Sequence, residues 1–160
     1  MRVAIIGNAG SGKSSLAAKL SSKNGIRALD LDTIYWEPGQ IAVERQAPVR
    51  VAELFRFCGD HPSWIIEGCY ADLVEASFSW SPELILMNPG LDACFEKRRR
   101  RPFESHKFSS KNEQDRMLDP LLAWVSGYYE RDGPMSLRGH LDLYERYGGP
   151  KRIVTSLDDA

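Results

Sequence analysis

Short, continuous apolar runs punctuate the chain at Val3-Ala4-Ile5-Ile6, Ile26 to Leu29, Trp64-Ile65-Ile66, Leu84 to Met87 and Ile153-Val154. Runs of this length suit strands buried on both faces, as in a parallel sheet. Between them the spacing turns helical. Ser14 to Lys23 carries Leu16, Ala17 and Leu20 on one side, and Val49 to Cys58 places Val51, Leu54, Phe55 and Cys58 for one buried face. Leu91 to Arg101 reads as a strong helix stopped by Pro102. Glu113 to Glu130 reads as a helix that Pro120 could kink, and Leu141 to Tyr147 as a short one closed by Gly148-Gly149-Pro150. Asn24-Gly25 and Gly59-Asp60-His61-Pro62 are turns, and Thr33 to Pro48 is irregular. Strands alternating with helices predict an α/β fold around a five-stranded parallel sheet.

The turn after the first strand carries the chemistry. Gly7-Asn8-Ala9-Gly10-Ser11-Gly12-Lys13-Ser14 matches G-x-x-x-x-G-K-[ST] throughout, with Ser15 next to it. Glycines let the backbone wrap around phosphates, and the resulting nest of N–H groups joins the following helix N-terminus in binding an anion. Lys13 would reach the β- and γ-phosphates of ATP, and the Ser14 hydroxyl would ligate Mg²⁺. Chance produces this pattern in roughly half a percent of chains this long, and here it has the strand before it and the helix after it that the mechanism requires.

Ligands of open α/β sheets sit beyond the carboxyl ends of the strands. Asp30, Asp32 and Glu67 stand at such ends. One of them is expected near Mg²⁺, directly or through water, and one could accept the proton of an acceptor hydroxyl. Asp30 and Glu67 are the metal candidates beside Ser14, and Asp32 is the catalytic candidate. The competing role for each is to cap a helix or pair with an arginine.

Lys97-Arg98-Arg99-Arg100-Arg101 ends a helix, where cations are favourable on electrostatic grounds alone. Phosphoryl transfer also needs positive groups against the transition-state charge. Arg98 and Arg101, three apart, share a helix face and form the candidate pair. His106-Lys107 falls in a polar stretch after Pro102 that could close over the nucleotide as a lid, about 102–117. Arg45 and Arg50 are weaker candidates for the acceptor side. Tyr35-Trp36 could wall the acceptor site or simply serve packing.

Composition narrows the picture. The 160 residues suit one domain, 1–160, with no dividing linker. A net charge of -1 argues against a nucleic-acid partner. The three cysteines, Cys58, Cys69 and Cys94, show no paired spacing and read as thiols in a reducing compartment. No run approaches a membrane span, and the N-terminus enters the glycine loop directly, so a cytoplasmic protein is expected, as monomer or homodimer.

The loop, Asp30-Leu31-Asp32 and Trp64-Ile65-Ile66-Glu67-Gly68 together resemble the adenylate kinase-like small-molecule kinases. Leu31 to Trp36 and Trp64 to Tyr70 look most like the DNA topology modulation (FlaR-related) proteins, with shikimate kinase as a cousin. The resemblance implies a P-loop three-layer sandwich with strand order 2-3-1-4-5 and a short lid. It implies that Asp30 and Asp32 match the Asp-x-Asp step of shikimate kinase, near Mg²⁺ and the acceptor hydroxyl. It matches Glu67-Gly68 to the Asp-Gly of adenylate kinase, and Arg98 and Arg101 to the basic residues at the lid. Cys69-Tyr70-Ala71 stands where adenylate kinase carries Phe-Pro-Arg, so its nucleoside monophosphate contacts do not carry over. The function expected is ATP- and Mg²⁺-dependent phosphoryl transfer to a small nucleotide-like or hydroxylated acceptor. The alternative is a nucleotide-binding regulator with little or no transfer.

Overall fold

The computed structural model describes residues 1–40, 43–103, 105 and 108–157. The five apolar runs become β1 (Arg2–Gly7), β2 (Arg27–Asp30), β3 (Trp64–Gly68), β4 (Glu83–Met87) and β5 (Lys151–Val154). They form one parallel sheet in the order β2-β3-β1-β4-β5. The period-2 alternation of the strands splits the core into two layers. Val3, Ile5, Ile65 and Ile85 face α1 (Lys13–Asn24) through Leu16 and Ala17. Ala4, Ile6, Trp64, Ile66, Leu84 and Leu86 face the opposite layer. That layer holds α2 (Asp32–Tyr35), α3 (Ala47–Asp60), α4 (Ala71–Ala76) and α8 (Leu137–Arg146). With helices on both faces, the central strands are buried apart from Arg2 and Glu83 at their starts, which explains their apolar runs.

The register sets the site. Ile6 lies opposite Gly68, Gly7 opposite Met87, and Asp30 opposite Glu67. The phosphate loop, the Glu67-Gly68 step and the Asp30-Leu31-Asp32 step therefore leave the same edge of the sheet. The Leu31 N–H donates to the Glu67 carbonyl at 2.9 Å and extends this alignment past the end of β2.

Several elements differ from their sequence expectation for physical reasons. In α3 the buried stripe is Arg50, Leu54 and Cys58, spaced i, i+4, i+8. Phe55, one position off that stripe, is exposed and meets Trp80 edge to face at 4.9 Å. The helix expected over 91–101 is α5 (Leu91–Arg99), which ends two residues earlier. The helix expected over 113–130 is two, α6 (Lys111–Arg116) and α7 (Leu118–Gly127). Pro120 is the third residue of α7, where a missing N–H costs no intrahelical bond, so it starts a helix instead of kinking one. α8 begins at Leu137 because Ser136 caps it, its Oγ accepting from the Gly139 N–H at 2.9 Å. α4 and the 3-10 turn Ser77–Trp80 are too short to announce themselves in the sequence. Among the described residues no helix is long and apolar enough to cross a membrane.

Candidate functional site

The phosphate loop leaves β1 with two glycines in left-handed backbone conformations. Gly10 has φ +79° and Gly12 has φ +102°. A Cβ on Gly10 would lie 2.6 Å from the Cys94 carbonyl oxygen, so α5 is seated directly against the loop. Lys13 is buried at 6% exposure, and its ammonium donates to the Asn8 carbonyl at 2.8 Å. Asn8 is buried as well, and its side-chain N–H donates to the Val125 carbonyl of α7 at 2.9 Å. Ser11 Oγ and Asn8 Oδ1 are buried without a partner among the described residues. The loop thus holds polar capacity that its own fold does not use.

A cleft of about 450 Å³ opens over this loop. Ala9, Gly10, Gly12, Lys13, Ser14 and Ser15 form its floor. Asp30, Asp32, Glu67, Arg98 and Arg101 line the same cleft. Gly7, Asn8 and Ser11 of the motif are not part of that lining. Glu67 is 5% exposed. Burial pushes its carboxyl above the usual range, the Lys13 charge and a Ser14 hydrogen bond work against that, and Asp30 adds to it. Asp30 Oδ1 accepts from the Asp32 N–H at 2.9 Å, which fixes the first turn of α2. Asp32 Oδ1 accepts from the Tyr70 hydroxyl at 2.6 Å.

A Ser14 hydroxyl hydrogen-bonded to Glu67, in a cleft that Asp30 also lines, suits Mg²⁺ carried by a nucleotide. Mg²⁺ keeps several waters and takes one or two carboxylates plus phosphate oxygens. Among the described residues no group of three or more His, Cys, Asp and Glu is placed to hold a metal ion by itself.

The architecture has counterparts among solved structures. A gluconokinase from Sinorhizobium meliloti 1021 has a TM-score of 0.55 at 13% identity, over 96% of this chain and 81% of its own. A sugar kinase from Janibacter sp. HTCC2649 has a TM-score of 0.53 at 14% identity, over 96% of this chain and 83% of its own. This is the P-loop kinase fold. A shikimate kinase from Bacteroides thetaiotaomicron reaches a TM-score of 0.48 at 17% identity, over 91% of this chain and 97% of its own. No family model and no curated protein matches the chain, so its likeness to the DNA topology modulation proteins rests on motifs alone.

On this P-loop kinase fold the basic run behaves differently from its sequence reading. α5 stops at Arg99, so Arg101 lies beyond the helix and reaches the cleft by chain direction, not by a shared helix face. Lys97 and Arg100 also line the cleft. The Lys97 ammonium donates to the Ser11 carbonyl at 3.4 Å, a contact that needs α5 docked on the loop and has no local signature. Cys69 lines the cleft too, and burial raises its thiol, which keeps it protonated. Arg45 and Arg50 stay outside that lining. Arg45 is 2.9 Å from Glu53, while Arg50 lies 3.4 Å from Glu44 and 4.0 Å above the Tyr35 ring. His106 and Lys107, the lid candidates, lie outside the described residues.

Proposed function

We propose that the protein is an ATP- and Mg²⁺-dependent phosphotransferase that phosphorylates a hydroxyl of a small acceptor. The supporting observation is convergence. Lys13, Ser14, Asp30, Asp32, Glu67, Arg98 and Arg101 come from four separate chain segments and line one cleft.

In this reading the loop N–H groups hold the β-phosphate against the N-terminus of α1. Lys13 leaves the Asn8 carbonyl for the γ-phosphate. Ser14 holds the metal with Asp30 or Glu67, directly or through water. Mg²⁺, when bound, neutralises charge on the β- and γ-phosphates. The acceptor oxygen forms a bond to the γ-phosphorus as the bond to the β–γ bridging oxygen breaks. ADP leaves, and the hydroxyl proton passes to the Asp32 carboxylate. Arg98 and Arg101 offset charge on the transferred group.

A coupled ADP-release assay with ATP, Mg²⁺ and a panel of sugars, polyols, nucleosides and nucleoside monophosphates tests this. Acceptor-dependent turnover is expected, falling about 100-fold or more in Lys13→Ala with the fold retained. Turnover unchanged in that variant would overturn the role of Lys13. ATP binding without turnover on any acceptor would favour the regulatory alternative.

A further inference from the structure

The hydroxyl of Tyr70 lies in a chain of hydrogen bonds whose direction the chemistry fixes. The Trp36 indole N–H lies 2.7 Å from the Tyr70 oxygen, and that oxygen lies 2.6 Å from Asp32 Oδ1. An indole nitrogen only donates and an ionised carboxylate only accepts. Trp36 therefore donates to Tyr70, and Tyr70 donates to Asp32. Burial and the Asp32 charge both raise the Tyr70 phenol far above its ordinary range, so it stays a donor at any physiological pH.

The ring beneath that hydroxyl is held on several sides. Tyr70 is 3% exposed and stacks on Tyr35 with centroids 3.8 Å apart and planes 13° from parallel. The Arg50 guanidinium lies 4.0 Å over the Tyr35 ring. Trp36 meets Tyr70 at 71°. Packing alone would be met by a phenylalanine. The hydroxyl adds a neutral donor aimed at a carboxylate on the lip of the cleft, on a helix of only four residues. Such a short turn does little to hold a side chain in one rotamer.

We propose that Tyr70, itself oriented by Trp36, is a positioning residue that holds the Asp32 carboxylate in its working geometry for phosphoryl transfer. This rests on the phosphotransferase reading above. Groups that act at a reacting atom must be held within a fraction of an ångström, and neighbouring hydrogen bonds supply that constraint.

The test is a set of variants assayed for ADP release, with Mg²⁺-ATP binding followed by calorimetry and stability by thermal unfolding. Tyr70→Phe keeps the stack and removes the donor. It is expected to lower kcat about 10-fold while the KM and Kd for ATP stay within about twofold. Trp36→Phe should lower kcat less, because Tyr70 keeps its bond to Asp32. In an Asp32→Asn background, Tyr70→Phe should cost nothing further, since residues acting as a unit are non-additive. The proposal is overturned if Tyr70→Phe keeps the parental kcat. It is equally overturned if the loss appears in KM for ATP, or recurs in full in the Asp32→Asn background. Absence of turnover in the parent with every acceptor and with water would sink the phosphotransferase reading itself, and the Tyr70 role with it. Calorimetry would then show whether a nucleotide site remains.

Discussion

Gly10 in the phosphate loop and Gly25 at the end of the first helix differ in what they need: Gly25 requires only backbone freedom, Gly10 also requires empty space. Gly25 closes α1 at φ +65° with open space where a methyl would stand, whereas Gly10 has φ +79° and the Cys94 carbonyl in the way. Both conformations disfavour a side chain by about 1 kcal/mol or somewhat more. Gly25→Ala should therefore cost about that much in urea unfolding and leave ATP affinity unchanged. Gly10→Ala must also push α5 off the loop, and should weaken ATP binding at least about 10-fold by calorimetry. Equal ATP affinity in the two variants would show that the loop tolerates displacement of α5. Most of the loop positions are legible in the sequence because the motif encodes backbone geometry residue by residue. The contact of Gly10 with Cys94 is not legible, since the two lie far apart along the chain and meet only when α5 docks.

At the scale of elements, legibility follows length and continuity. The central strands β1, β3 and β4 stand out because burial on both faces leaves their apolar runs unbroken, whereas the edge strands β2 and β5 show only as shorter runs flanked by charged residues. α8 is harder to see, because Gly139 sits inside it and a glycine there reads as a stop. The helix starts at Ser136 all the same. That hydroxyl is fully buried, accepts from the Gly139 N–H at 2.9 Å and donates to the Gly133 carbonyl at 2.7 Å. Ser136→Ala removes the cap and leaves the Gly133 carbonyl short of a partner. A loss of about 2 kcal/mol is expected from urea unfolding. A loss below about 0.5 kcal/mol would mean that solvent replaces both bonds. The basic run marks the opposite limit. Its composition points to a site, but which cations reach the cleft depends on where α5 ends, and Lys97, Arg98, Arg100 and Arg101 all do.

At the scale of the whole molecule, residues 111–157 show no motif, yet they brace both halves of the site. Asn8 is tied to Val125 in α7, and the turn after β3 is tied to α8. The second tie is His140, fully buried between Tyr128 and the Cys69 and Pro134 carbonyls. Carbonyls only accept, so Nε2 carries the proton, Nδ1 accepts, and the Tyr128 hydroxyl donates to it at 2.8 Å. Such a pairing of residues 71 positions apart leaves no trace in local pattern. Burial depresses the His140 pKa to about 4 from an ordinary 6.5, aided by the Lys13 and Arg131 charges and opposed by the two carbonyls. Between those two values the unfolded chain binds a proton that the folded chain refuses. Stability is therefore complete above about pH 6.5 and falls as the pH drops toward 4. From about pH 7 to about pH 5 this one group should remove about 2 kcal/mol. Urea titrations of the parent and of His140→Gln at both pH values isolate it from the carboxylates, which titrate in both proteins. The parent should lose about 2 kcal/mol more than the variant on acidification. Equal losses would mean that the imidazole is already charged in the folded state, and the neutral bridge from α8 to the Cys69 turn would have to be abandoned.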